Sequence, residues 1–395
     1  MANVSRAVTI DDLRALALRR LPEFVSQPME TGSGNGNGPR RNVERFKDYL
    51  FRPQSLVDIA EPAHAVTVFG RAYSQPFGIS AIGYADYFRR HADTLFAQAA
   101  AAADIPFILS GGSIAPVEKI ARTAPSHSWF QLYSARDTSV TQRIIDRARD
   151  AGIQVLVLTV DVPVMPQNDW LMRSGLRLPA SVPIRSLPYV LWQLLTHPGW
   201  TCELIAAGGF PTLESWSAYA PKGSNSAEIH QYYRSQVPAP QTWSQLEHIR
   251  RSWSGKLVIK GLLSAQDAVR AVDLGADAIT VSNHGGNRLD CVPAALDALP
   301  AVHAAVGGRL PVFFDGGIRR GPDILAAYCL GASFCFIGRA ALYGAAAGGV
   351  AGVSRAIEIL QRELNQTMAM LGLPSIARAG PDWITQTGRV PPRQT

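Results

Sequence analysis

From residue 66 onward the sequence repeats one phrase: an Ala-rich run with helical spacing, a Gly or Ala-Asp break, then a short strand of β-branched and aromatic residues. Ala97 to Asp104 leads into residues 106–110 (PFILS), Ile144 to Gly152 into 155–161 (VLVLTVD), and Ala265 to Gly275 into 278–283 (AITVSN). Further strands are predicted at 77–81, 129–133, 257–261, 312–317 and 334–338, eight in all. Continuous apolar strands alternating with amphipathic helices are what a parallel sheet covered on its outside requires. Eight such units close into an α/β fold of the (β/α)8 TIM barrel type, with a doubly wound open sheet as the runner-up. The chain's 395 residues leave room for a barrel plus additions.

The additions fall outside the repeat. Residues 1–65 form an N-terminal extension in which Leu13, Leu16, Leu18 and Leu21 lie near helical spacing, behind Thr9 and with Asp11 and Asp12 in the first turn. A capped helix over 10–21 is predicted. Residues 31–38 (TGSGNGNG) carry no side chain able to build a core, so a flexible loop is expected there. No strand precedes them, which argues against a phosphate cradle. About 95 residues separate the fourth and fifth strands, far more than a helical crossover takes. Residues 165–250 therefore read as a lid insertion within a barrel domain spanning 66–375, followed by a tail over 376–395. Inside the insertion, residues 187–196 (LPYVLWQLLT) are too few to span a bilayer. Flanked by Arg185, they suit a lid helix or a peripheral membrane contact.

The 38 Lys+Arg exceed the 31 Asp+Glu by a net charge of +7, but no run of basic residues points to nucleic acid, and no such partner is expected. Cys202, Cys291, Cys329 and Cys335 lack CxxC spacing, so neither a disulfide framework nor a metal site is implied. The N-terminus interrupts its apolar residues with charge every few positions, unlike a secretory leader, and a cytoplasmic location is expected.

A barrel builds its active site at the C-terminal ends of its strands. Polar residues end nearly every strand here: Ser110, Gln131 and Tyr133, Thr159 and Asp161, Lys260, Ser282-Asn283-His284, Asp315-Gly316-Gly317 with Arg319, and Gly338-Arg339. Strands seven and eight supply glycines and forked donors suited to a phosphate, namely Gly317, Arg319, Gly338 and Arg339. Asp161, Lys260 and His284 end three consecutive strands, so a carboxylate stands where it can orient an imidazole as a general base. Lys260 admits two readings, a Schiff-base amine as in a lyase or isomerase, or a cation that stabilises a reduced cofactor ring.

These segments together, Ser282-Asn283-His284-Gly285-Gly286 and Asp315-Gly316-Gly317-Ile318-Arg319-Arg320-Gly321 above all, resemble the FMN-dependent α-hydroxy acid oxidases and dehydrogenases, along nearly the whole chain. The resemblance implies FMN as cofactor and an oxidoreductase of a CH–OH or CH–NH2 carbon. It implies His284 as base with Asp161 as partner, and Lys260 beside the flavin ring. Ser110, Gln131, Thr159 and Ser282 would line the cofactor, Asp315 its ribityl chain, and Tyr133 would face the substrate oxygen. It further implies a small-molecule substrate, an electron acceptor that is oxygen, a quinone or a redox carrier, and a homotetramer. Ala81-Ile82-Gly83 replaces the family's usual run over the flavin, and Gly83 favours a dehydrogenase.

Three positions depart from the family's carboxylate site. Its first Arg is matched by Asn287, with Arg288 one place later; its second Arg is matched by Asn168, and an N-terminal Tyr by Met29. Gly112 stands where some members carry Trp, which implies a wider pocket. An Asn donates a neutral hydrogen bond about half as strong as a charged one. Two accounts follow: Arg288, Arg173 or another lid residue holds the carboxylate of an ordinary 2-hydroxy acid, or the substrate is a larger neutral alcohol or amine. The second is the expectation, since the premycofactocin synthases of this family share Ser-Asn-His-Gly-Gly-Asn.

Overall fold

The computed structural model describes residues 3–59, 61–176 and 182–387. All eight predicted strands are present, six of them with trimmed ends, the third shifted by one residue and the fifth longer by one at each end: β1 (Phe77–Ile79), β2 (Phe107–Leu109), β3 (Ser128–Leu132), β4 (Val155–Thr159), β5 (Lys256–Leu262), β6 (Ala278–Val281), β7 (Val312–Asp315) and β8 (Phe334–Ile337). They pair in parallel, each with its sequence neighbours, and β8 closes on β1. The open-sheet alternative is thereby excluded.

Alternation along each strand decides what lies inside. Ile108, Trp129, Val157, Val258, Ala278 and Phe313 belong to the apolar cluster filling the barrel. Two residues further along the same strands, hence on the same inner face, stand Ser110, Gln131, Thr159, Lys260, Thr280 and Asp315, with Ser282 next after Thr280. The residues between them, Leu109, Phe130, Leu158, Ile259 and Phe314 among them, join the outer core beneath the helices. The bottom of the barrel is plugged by a hairpin of Val66–Val68 and Arg71–Tyr73, whose turn residue Phe69 lies 5.7 Å from Trp129 and 5.8 Å from Phe313, centroid to centroid. Strands of three residues are too short to show a period, which is why the repeat does not reveal them.

The helix predicted behind Thr9 runs over Ile10–Arg20, with Thr9 and Asp12 forming a capping box, and buries Ile10, Leu13 and Ala17. Residues 31–38 are not the flexible loop expected from composition. Gly34 N–H donates to Gln167 O at 2.8 Å, Gly38 N–H donates to Asp290 Oδ1 at 2.5 Å, and Ser33 is buried. Their lack of side chains lets the backbone press directly against the loop after β6, a use of glycine that composition alone cannot distinguish from slack. The C-terminal residues also fold back, since Ile384–Gln386 pairs antiparallel with Tyr49–Phe51.

The insertion is helical: Asp169–Ser174, Leu187–Thr196, Pro198–Ala206, Ser226–Gln236 and Trp243–Ser252 are its main elements. Ser226–Gln236 and Trp243–Ser252 each open with a capping box, from Asn225 with Glu228 and from Thr242 with Gln245. Leu187, Leu191, Trp192 and Leu195 on Leu187–Thr196, with Ile184 before it, are exposed. Among the described residues no helix is long and apolar enough to cross a membrane. All four cysteines are free.

Candidate active site

His284 follows β6 with φ +57°, a left-handed conformation uncommon outside glycine that costs on the order of 1–3 kcal/mol. The loop is held in that shape by Ser282 Oγ, which accepts His284 N–H at 3.0 Å, and by Asn283 Oδ1, which accepts Gly286 N–H at 3.1 Å. Asn283 in turn exchanges side-chain hydrogen bonds with Asn42 at 2.7 and 2.8 Å. His284 Nδ1 lies 3.0 and 3.2 Å from the two oxygens of Asp161. With Nδ1–H donated to that carboxylate, Nε2 is left as the acceptor nitrogen of the ring. Burial first, then the charge of Arg288, holds the imidazole below its ordinary value of 6.5 although Asp161 pulls the other way. Burial alone would raise Asp161, but His284, Lys260 and Arg288 outweigh it and keep the carboxyl below the usual range. At neutral pH the pair therefore stands as carboxylate and neutral imidazole, a base ready to take a proton.

Lys260 Nζ donates to Asp315 Oδ2 at 2.5 Å and to Ser282 Oγ at 2.8 Å. Ser80 Oγ donates to the same Asp315 oxygen at 2.9 Å, and Ser282 Oγ to the other. The two side chains are 4 % and 8 % exposed, so the ion pair is desolvated and its charges fixed. Both bonds tie Lys260 Nζ into the wall between Asp315 and Ser282, an arrangement that favours a fixed cation over a Schiff-base amine.

Several atoms of the inner wall await a partner. Gln131 Oε1 accepts from Ser110 Oγ and from Gly111 N–H, each at 3.1 Å, but Gln131 Nε2 and Thr159 Oγ1 are buried with no partner among the described residues. Leaving such groups unpaired costs about 1–3 kcal/mol each, so they mark where the polar edge of a bound group lies. On the other side of the mouth, the helix Arg339–Leu371 starts at Gly338 without a side-chain cap, and a Cβ built on Gly338 would meet nothing within 4 Å. That is an open anion cradle. Arg319 flanks it, its guanidinium carbon 5.6 Å from the Tyr343 ring centre. A flat polar ring with a phosphate tail fits this donor set.

Two residues expected to hold a phosphate make contacts with the N-terminal segment. Gly317, at φ +89°, has the backbone oxygen of Asn42 against the place its Cβ would take, so the N-terminal segment demands glycine there. Arg339 spends Nε on Met29 O and Nη1 on Gly285 O, both at 2.7 Å, tying the N-terminal segment to the catalytic loop.

The substrate side of the mouth departs most from the sequence-based picture. Arg288 Nη2 lies 3.0 Å from Tyr133 Oη and 3.1 Å from His284 Nε2, while its Nε is buried without a partner among the described residues. Tyr133 Oη is itself 3.3 Å from His284 Nε2. The arginine displaced by one place in sequence thus reaches the base, while Asn287 is exposed. Asn168 faces its own neighbours: its amide donates to Thr31 Oγ1 at 2.9 Å and to Gly32 O, and its Oδ1 caps the helix Asp169–Ser174 through Leu171 N–H at 2.9 Å. Met29 is buried in the outer core. Gly112 does not open a wider pocket, because the Tyr233 hydroxyl stands 2.9 Å from the position a Cβ would take. Sequence reasoning missed Tyr233, Asn42 and Ser80. Only Ser80 left a signal, as the next inward position after Gly78 on β1.

A buried His–Asp pair facing a phosphate cradle across the mouth of a parallel barrel defines a cofactor-dependent barrel enzyme. The comparisons with known proteins make this specific. The FMN-dependent dehydrogenase family profile matches residues 17–386, and the chain belongs to that family. It is 35% identical over 378 residues to an L-lactate dehydrogenase of Xanthomonas campestris pv. campestris (strain B100), covering 96% of this chain and 97% of the relative. An L-lactate dehydrogenase of Ectopseudomonas mendocina (strain ymp) is 36% identical over 375 residues, covering 95% and 98%. Among solved structures, the monotopic membrane protein (S)-mandelate dehydrogenase superposes with a TM-score of 0.91 at 33% identity, over 96% of this chain and 100% of that one. A mandelate oxidase with (S)-2-phenylpropionate gives 0.80 at 30%, over 96% and 98%. The protein is an FMN-dependent oxidoreductase of the α-hydroxy acid dehydrogenase and oxidase family.

Proposed function

We propose that the protein oxidises a small L-2-hydroxy acid to its 2-oxo acid, with Arg288 as the carboxylate anchor. One observation carries this reading: a guanidinium stands within 3.1 Å of the histidine base and 3.0 Å of Tyr133. The names of the lactate and mandelate relatives support it. The expectation of a neutral substrate rested on missing arginines, and Arg288 supplies from the next position what Asn287 and Asn168 lack.

In this reading the substrate carboxylate takes the Arg288 donor now shared with His284 Nε2 and Tyr133, and Nε2 is freed to accept a proton from the substrate. Asp161 fixes the imidazole tautomer and stabilises the imidazolium that forms. The inner-wall donors and the Gly338 cradle would hold FMN, which when bound would supply the acceptor for the two electrons and the remaining proton. Ser110, Gln131, Thr159, Lys260 and Ser282 would hold its ring, Asp315 its ribityl chain, and Gly317, Arg319, Gly338 and Arg339 its phosphate. Steady-state assays with glycolate, lactate and mandelate test the assignment: turnover of at least one is expected, and a flavin-loaded enzyme that turns over none overturns it.

The electron acceptor in this reading is a quinone or carrier reached at a membrane surface. Support comes from the exposed Leu187, Leu191, Trp192 and Leu195 and from the monotopic relative. The wild-type protein is expected to co-sediment with vesicles containing anionic phospholipid. Leu191→Glu with Trp192→Glu should release it while activity with a soluble dye persists; a double variant that still sediments with the vesicles removes this patch from consideration.

A further inference from the structure

The side-chain space above Gly112 is filled from the insertion. A Cβ on Gly112 would lie 2.9 Å from Tyr233 Oη and 3.7 Å from its Cζ. Tyr233, on Ser226–Gln236, is 5% exposed and wedged edge-on between Trp216 at 4.8 Å and Tyr84 at 6.0 Å. Both neighbours are anchored to the strand end: Tyr84 N–H donates to Gly112 O at 3.0 Å, and Trp216 Nε1 donates to Gly111 O at 2.8 Å. The ring is therefore fixed relative to β2. Its hydroxyl interacts electrostatically with Tyr133 and Arg288, the two groups around His284 Nε2.

We infer that Tyr233 sets the size of substrate the site accepts, by standing where the substituent on the reacting carbon must go. The inference rests on the proposed 2-hydroxy acid reading for one point only, the pose. With the anionic end on Arg288 and the reacting carbon at His284 Nε2, the remaining substituent is directed along Tyr133 toward Gly112, and there it meets the Tyr233 ring. A methyl group fits beneath such a ceiling, whereas an aryl group collides with a ring that Trp216 and Tyr84 prevent from swinging away. A residue from the lid thus fills what the barrel leaves open at Gly112.

The test is kcat/KM for two matched pairs, lactate with mandelate and lactamide with mandelamide, in wild type, Tyr233→Phe and Tyr233→Ala. Wild type and Tyr233→Phe should favour the methyl member of a pair. Tyr233→Ala should raise the aryl-to-methyl ratio about tenfold or more, with flavin absorbance retained. An unchanged ratio overturns the inference. Turnover confined to the amides overturns the carboxylate reading and leaves the ratio in the amide pair to judge Tyr233, while turnover of neither pair overturns both. If Tyr233→Ala loses its flavin, Tyr233→Leu provides the same comparison. Gly112→Ala adds an independent one: its new methyl would press on the hydroxyl at 2.9 Å, so Tyr233→Phe should relieve the resulting loss of activity, and failure to do so counts against the contact.

Discussion

Replacing Arg288 with Met should lower kcat/KM for a 2-hydroxy acid about a thousandfold, with most of the loss in KM. Two charge-assisted hydrogen bonds of about 1.5–3 kcal/mol each set that scale, roughly 10²- to 10⁴-fold. Arg288→Lys should recover only part, because an ammonium cannot offer two parallel donors to a carboxylate. The pH profile supplies a second readout. Burial and the Arg288 charge hold His284 below 6.5, so the wild-type acid limb of kcat/KM should lie below pH 6.5, with the base neutral and active above it. Removing the guanidinium takes away a group that disfavours imidazolium, so the limb should move to higher pH. An Arg288→Met enzyme with unchanged KM for acids and an unmoved limb would disprove the anchor.

Lys260→Met should be the most destabilising single change in the barrel mouth. It leaves the Asp315 carboxylate buried, with only Ser80 and Ser282 to satisfy it. Breaking a desolvated pair by removing one partner costs about 3–5 kcal/mol, whereas removing both charges together costs far less. The double variant Lys260→Met with Asp315→Asn is therefore expected to regain most of the lost stability in denaturant melts while remaining inactive. Equal stability for the single and double variants would mean that the pair is not a closed electrostatic unit.

The sequence carried the barrel because period and strand ends are local properties. Each apolar strand announces its inner face, and the polar residue two places beyond the last inward apolar one, such as Lys260 after Val258 or Gln131 after Trp129, falls in the mouth by alternation alone. Asp161 with His284 was legible on the same grounds, as the ends of two strands that flank β5. What depended on tertiary reach was not. Arg288 looked misplaced by one residue, but a long side chain leaving the left-handed turn at His284 folds back on the base. Asn168 looked like a substrate contact and is a helix cap, since its partners Thr31 and Gly32 lie more than a hundred positions away. Tyr233 had no signal at all, because its role arises only where a lid helix meets a bare glycine.

The glycine-rich stretch at 31–38 also bears on the order in which the molecule is made. Gly38 and its acceptor Asp290 are 252 positions apart, and Ser33 and its acceptor Gly286 are 253 apart. At about 5–20 residues per second, synthesis leaves this segment without its partners for roughly 10–50 s. Contacts of such long range form late, so the emerging chain spends that interval with a barrel partly built and the loop that carries His284 not yet braced by the N-terminal segment.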